Sequence, residues 1–224
     1  MIPVHDDNPV SITPLVTYAL IAGCVLVFLW QLGLGDAGNQ RAAFRFGVVP
    51  AVLLGDARLP PGLGGIPPAL TVLTSMFLHG GFMHLAGNLL YLWVFGNNIE
   101  DRLGHLRFAL FYAACGFAAA LAQAAQAPAS TVPMIGASGA ISGVLGAYLL
   151  YFPGARITVM IPIGFILHTA RWPAAWVLGA WFALQVVSSL LADPAQPGVA
   201  WLAHIGGFVA GLVLAPLLRP ARRA

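Results

Sequence analysis

Among the polar side chains inside the apolar runs of this 224-residue sequence, four stand out for chemistry: His84, Asn88, Ser138 and His204. Such groups are costly in an apolar solvent, so function is their default explanation. A serine and a histidine that can meet supply a nucleophile and a general base. His84 and Asn88, four residues apart and so on one helix face, supply hydrogen-bond donors. Together these are the parts of acyl transfer: a hydroxyl to attack, an imidazole to take its proton, and donors for the oxyanion that follows. Each residue also has a plainer reading. A serine in an apolar helix commonly bonds a carbonyl one turn back, and a lone histidine commonly ties helices together. The local context separates these readings. Ser138 lies in Gly136-Ala137-Ser138-Gly139-Ala140, followed by Gly143 and Gly146, and His204 lies in Ala203-His204-Ile205-Gly206-Gly207, followed by Ala210 and Gly211. Two helices faced with small residues can approach closely enough to bring Ser138 and His204 into hydrogen-bond reach.

The elements that must position these residues follow from composition. The chain is 59% hydrophobic and only 8% charged, against about 25% charged residues in soluble domains. It lacks the polar surface to cover itself in water, which excludes a soluble globule. Disorder is excluded with it, because disordered chains are charge-rich and poor in apolar residues. Six apolar stretches read as membrane spans: Leu15–Leu32, Gly81–Ile99, Phe108–Ala125, Ala137–Phe152, Trp172–Leu191 and Trp201–Leu218. The expected fold class is therefore all-α, a polytopic six-helix bundle. Ile157–Leu167, interrupted by Pro162, is too short for a span and reads as loop or interfacial structure. The Gly- and Pro-rich region Asp36–Leu70 reads as a piece dipping into the interface. This divides the chain into a short tail (1–14), a six-span body (15–218, with a first loop at about 33–80) and a basic tail (219–224).

The ten arginines, with no lysine, orient the spans. With the N-terminus cytoplasmic, inside loops and tail hold Arg102, Arg107, Arg156, Arg171, Arg219, Arg222 and Arg223. The outside loops hold only Arg41, Arg45 and Arg58, so the positive-inside rule places both termini in the cytoplasm. Spans two, four and six then all run inward, and the four polar residues lie at similar depth near the outer face. Ser138 to Phe152 gives about 22 Å of helix against a hydrocarbon core of about 30 Å. If that helix ends at the cytoplasmic face, Ser138 begins roughly 8 Å below the outer one, where free backbone N–H groups are tolerated only inside protein or beside a wet cavity.

The net charge of +3 comes from arginines that are single or terminal. They read as topology signals, not as a nucleic-acid surface. Cys24 and Cys115 both lie in apolar runs without metal-ligand spacing, and a disulfide between spans is not expected. His79, His84 and His204 follow no recognised metal spacing either, so neither metal nor cofactor is expected. Met1–Thr13 has two Asp and no Arg or Lys, unlike a signal or transit peptide. His105 and His168 read as solvated loop residues. Gln185, in the fifth stretch, has two readings: a packing hydrogen bond or a substrate contact.

Three motifs in order, on stretches two, four and six, carry a family resemblance. They are His79-Gly80-Gly81-Phe82-Met83-His84-Leu85-Ala86-Gly87-Asn88, Gly136-Ala137-Ser138-Gly139 and Ala203-His204-Ile205-Gly206-Gly207. Through them the sequence resembles the rhomboid intramembrane serine proteases over Leu15–Leu218. The resemblance implies a Ser138–His204 dyad without a carboxylate, and an oxyanion site of His84, Asn88 and the Ser138 amide. It gives His79, Gly136 and Gly139 supporting places around the site, and Glu100-Asp101-Arg102-Leu103-Gly104 a structural one. It implies transmembrane-protein substrates cleaved in or near a span, in a lipid bilayer. The arginine-only, alanine-rich composition points to a bacterial plasma membrane. Two positions depart from the family pattern. Pro68-Ala69-Leu70-Thr71 stands where many members have a Trp-Arg pair in the first loop, and Ser142 stands where some have a tyrosine stacked on the base. The rival functions are a non-proteolytic rhomboid-like scaffold for membrane helices and a small transporter with His84 and His204 in a proton path. The sequence does not fix an oligomeric state.

Overall fold

The computed structural model describes residues 1–164, 166–192 and 198–219, so Arg222 and Arg223 of the expected basic tail lie outside the described residues. The chain is mostly helical. Helices α1 (Leu15–Leu32), α6 (His105–Gln126), α8 (Ala174–Leu191) and α9 (Trp201–Leu218) are each long and apolar enough to cross a membrane. Between them run α2 (Gly35–Phe46), α3 (Pro50–Leu53), α4 (Pro68–Ser75), α5 (Phe82–Leu103) and α7 (Ser138–Tyr151). The Asp36–Leu70 region is thus partly helical, built on α2 and α3. The supposed loop around Arg102–Arg107 shrinks to Gly104, whose φ of +80° makes the turn between α5 and α6.

Helix α7 is the centre of the bundle, with its middle fully buried. It lies against both α6 and α9 because glycine removes the side chains that would separate them. A Cβ at Gly207 or Gly211 of α9 would run into the carbonyls of Gly139 and Gly143, and one at Gly146 would strike the Phe208 carbonyl. On the other side, a Cβ at Gly139 would lie 2.6 Å from the Ala119 methyl carbon of α6. The small-residue stripe therefore serves three helices, not the two that pairing of its motifs predicts. Gly136 is not part of it, since it precedes the helix.

The expectation of an all-α chain misses a three-stranded antiparallel sheet, β1 (Ile2–Asp6), β2 (Arg156–Ile163) and β3 (Ile166–Pro173), in the order β1-β2-β3. Ile157–Leu167, read from sequence as loop or interfacial structure, is the greater part of a hairpin whose register runs from Arg156↔Pro173 to Ile163↔Ile166. The N-terminal tail supplies the third strand, from Ile2↔Met160 to Asp6↔Ile157. Ile157 and Val159 point into the core while their neighbours face outward, the period-2 pattern of a half-buried strand. Span-length hydropathy is blind to that pattern, and the pairing partner lies more than 150 residues away.

This sheet closes the end of α7 opposite Ser138. Tyr148 Oη donates to the buried Asp6 Oδ2 at 2.6 Å. Nearby, the fully buried Glu100 carboxylate caps α1, accepting from the Val16 and Thr17 amides at 2.8 and 2.7 Å and from Thr17 Oγ1 at 2.7 Å. Asp101 Oδ1 accepts from the Ser11 and Ile12 amides. His105, expected in a loop, instead opens α6, where its exposed ring sits 2.6 Å from Glu100 Oε1, and His168 lies exposed on β3. Glu100→Ala strips acceptors from buried donors and should destabilise the detergent-solubilised protein by about 1–3 kcal/mol, read by thermal unfolding. Gly207→Val should lower stability at least as much, because a branched side chain there meets backbone that cannot yield.

Candidate active site

Four helix segments converge on one cavity. Ser138 is the first residue of α7, His84 the third of α5 and His204 the fourth of α9, while Gln185 comes from the far half of α8. The cavity has a volume of about 1240 Å³ and is lined by all four, with Asn88 and Trp181 among its other walls. Clefts for small molecules span roughly 300–1,000 Å³, and this open space is larger.

Ser138 Oγ and His204 Nε2 are 2.8 Å apart. The start of α9 is held in place from α6, where Gln123 Oε1 accepts from the Leu202 and Ala203 amides at 3.1 and 3.2 Å and so caps its first turn. The other imidazole nitrogen of His204, Nδ1, lies 2.8 Å from Gln185 Oε1. Trp181 flanks the ring at 6.1 Å, tilted by 33°, and Trp201 meets it edge-on at 6.1 Å. Ser142 does not reach His204; its hydroxyl donates to the Ser138 carbonyl at 2.6 Å.

Donors gather on the other side of Ser138. The first helical bond of α7 runs from the Ile141 amide to the Ala137 carbonyl, and no side chain caps the helix among the described residues. The amides of Ser138, Gly139 and Ala140 therefore precede the hydrogen-bonded ladder. Asn88 is 7% exposed, and its Nδ2 has no partner among the described residues. The Gly80 amide donates to His84 Nδ1 at 3.2 Å. A ring nitrogen that accepts carries no proton, so His84 is the tautomer with its N–H on Nε2. That nitrogen faces Gly136: a Cβ built there would sit 2.6 Å from it and 3.8 Å from Asn88 Nδ2.

The segment ahead of Ser138 is held by the region after α1. Val48 and Met134 exchange both backbone hydrogen bonds, at 3.0 and 2.7 Å, and the Gly136 amide donates to the Ser75 carbonyl at 2.9 Å. His79 lies behind His84, with ring centroids 5.1 Å apart. Its backbone is paired with Gln31 of α1, whose side chain accepts from the His79 amide and donates to its carbonyl. Burial, with His84 adjacent, lowers the His79 pKa to about 4. It is therefore neutral, with Nδ1 3.2 Å from the Phe77 carbonyl. His79 thus lies against the donor cluster from behind, and Gly139 faces α6 at the start of α7.

The structure brings Ser138, His204, His84 and Asn88 to one cavity, with Gly136 packed against the His84 ring. Sequence reasoning missed Gln123, and it did not connect Gln185 with His204. Both are amides inside apolar runs, the same signal that drew attention to Asn88, but nothing local tells which helix such an amide faces. Gly136 has a φ of +122°, which disfavours any side chain, and its missing Cβ leaves room for the His84 ring. Gly136→Ala should abolish labelling of Ser138 by a fluorophosphonate, because the methyl displaces His84 and strains the turn into α7. Gly139→Ala is expected to act through stability instead, which thermal unfolding separates from reactivity.

A family model described as Rhomboid domain matches residues 68–221. The chain is 35% identical over 136 residues to "Rhomboid protease GluP" of Bacillus subtilis, covering 61% of this chain and 24% of that protein. It is 29% identical over 153 residues to "Rhomboid protein 1, mitochondrial" of Saccharomyces cerevisiae, covering 64% and 40%. It is 31% identical over 142 residues to "Rhomboid-type serine protease 2" of Emericella nidulans, covering 62% and 25%. The matched regions thus span between about a quarter and two fifths of these curated relatives.

Proposed function

Since the chain belongs to the rhomboid family, an assignment that with its long apolar helices makes it an integral membrane protein, we propose that it is an intramembrane serine endopeptidase cleaving transmembrane segments of membrane-protein substrates. The observation that carries this reading is the 2.8 Å contact between Ser138 Oγ and His204 Nε2, beside donors that include Asn88 Nδ2, which has no partner among the described residues. In this reading α5 and α7 join the four long apolar helices to make six spans, and residues 15–218 form the protease domain. Both termini are cytoplasmic, in a bacterial plasma membrane, and the site opens toward the outer side.

The reaction uses groups already in position. His204 Nε2 takes the Ser138 proton as Oγ attacks the peptide carbonyl carbon. The oxyanion is met by the Ser138 amide, His84 Nε2–H and Asn88 Nδ2–H, donors oriented before charge develops and therefore stabilising it without reorganisation. The imidazolium gives its proton to the leaving amine, and an acyl ester on Ser138 remains. Water, deprotonated by His204, then attacks the ester and releases the acid. The short α7 supports this reading, because its free amides start at the nucleophile.

Ser138→Ala and His204→Ala should each abolish cleavage of a reporter transmembrane substrate in proteoliposomes while thermal unfolding stays near wild type. Asn88→Ala should slow cleavage by roughly 10–1,000-fold, because the other donors remain. Fluorophosphonate labelling that disappears in Ser138→Ala separates a protease from its rivals. An unlabelled, uncleaving wild type that still binds membrane helices would make this chain a non-proteolytic scaffold.

A further inference from the structure

We propose that Gln185 is the positioning residue of the base: its amide oxygen holds the proton of His204 on Nδ1 and thereby keeps Nε2 free to accept from Ser138. The inference rests on the dyad reading above and adds a third member from a third helix. The orientation of the Gln185 amide is set on its own helix, where Nε2 donates to the Trp181 carbonyl at 3.1 Å. A carbonyl only accepts, so the NH2 end is committed to it and the oxygen is the end that faces His204, 2.8 Å from Nδ1. An amide oxygen also only accepts. Nδ1 must therefore be the protonated nitrogen, and Nε2, 2.8 Å from Ser138 Oγ, carries the lone pair. That is the tautomer a general base requires.

The surroundings make this bond matter. Gln185 is 4% exposed, so its own amide is sheltered from water, and a hydrogen bond from so buried a group orients its partner strongly. Trp181 and Trp201 restrict the plane of the ring, but an aromatic wall does not distinguish one imidazole nitrogen from the other. The residue one turn after the nucleophile, Ser142, spends its hydroxyl on the Ser138 carbonyl and contributes nothing to the choice. Gln185 is the residue that makes it. During reaction the same oxygen accepts from the imidazolium as a neutral dipole, so no carboxylate is buried beside the base.

The test uses the full chain in proteoliposomes and three variants. Gln185→Met keeps length and apolar packing but removes the acceptor. Its fluorophosphonate labelling rate and its kcat on a transmembrane reporter should fall by about 10–100-fold, with KM within twofold of wild type, the signature of a misoriented base. Gln185→Glu restores an acceptor toward Nδ1 and should bring both rates back to within about threefold of wild type. A methionine variant at wild-type rate, or a glutamate variant as slow as the methionine one, would show that Gln185 only packs. Nitrogen-15 spectra of labelled histidine, assigned with His204→Ala, read the tautomer in the wild type whatever the variants do. A proton on Nε2 of His204 would overturn the proposal. Failure of the dyad reading looks different, as labelling that survives Ser138→Ala or never occurs.

Discussion

The contact between Ser138 and His204 depends on how closely two helix backbones can lie. At Gly207 and Gly211 the α9 backbone rests directly on the carbonyls of Gly139 and Gly143, and α7 answers with Gly146 against Phe208. In hydrocarbon, apolar side chains gain nothing by leaving lipid for one another, so helix association leans on close packing of small residues. Here the same packing sets the distance across which a serine hydroxyl and an imidazole meet. The proposed nucleophile and base therefore share the constraint that holds the bundle together. A change in that packing is felt first as a change in their separation.

The second constraint is that α7 begins deep in the protein. A buried helix start leaves amides without intrahelical partners, and such groups need company. The segment leading into it is held by the Val48–Met134 bridge and the Gly136–Ser75 bond, while His84 and Asn88 approach from α5. The long first loop, whose Gly- and Pro-rich composition says little, is a brace for the turn that presents Ser138. The unmet amides are what the proposed chemistry uses for a developing negative charge.

The opposite end of the bundle is built on different principles. There the chain uses carboxylates, with buried Glu100 receiving the start of α1, Asp101 the residues just before it, and buried Asp6 accepting from Tyr148. A hairpin and the N-terminal strand add a small sheet. Polar, sheet-forming closure at one end leaves the other free to carry a cavity, and α7 runs between the two.

The sequence by itself carried the helices, because spans of apolar residues are local and the membrane sets their length. It also carried the identity of the polar residues, since Ser138, His204, His84 and Asn88 are conspicuous against so little charge. Only the tertiary structure decided what is non-local. Strand β1 pairs with a hairpin far along the chain, and its short alternation of inward and outward residues is invisible to a hydropathy window. His105 reads as a loop residue until it is seen to open α6 with its ring against Glu100. Gln185 and Gln123 are legible as polar residues in spans, but the direction each faces depends on the rotation of its helix about its own axis. That rotation is set by packing, through the glycines of α7 and α9 and their neighbours. The residue types that could do chemistry were written in the chain; which nitrogen of His204 faces Ser138, and what holds the other, was decided by how the helices pack.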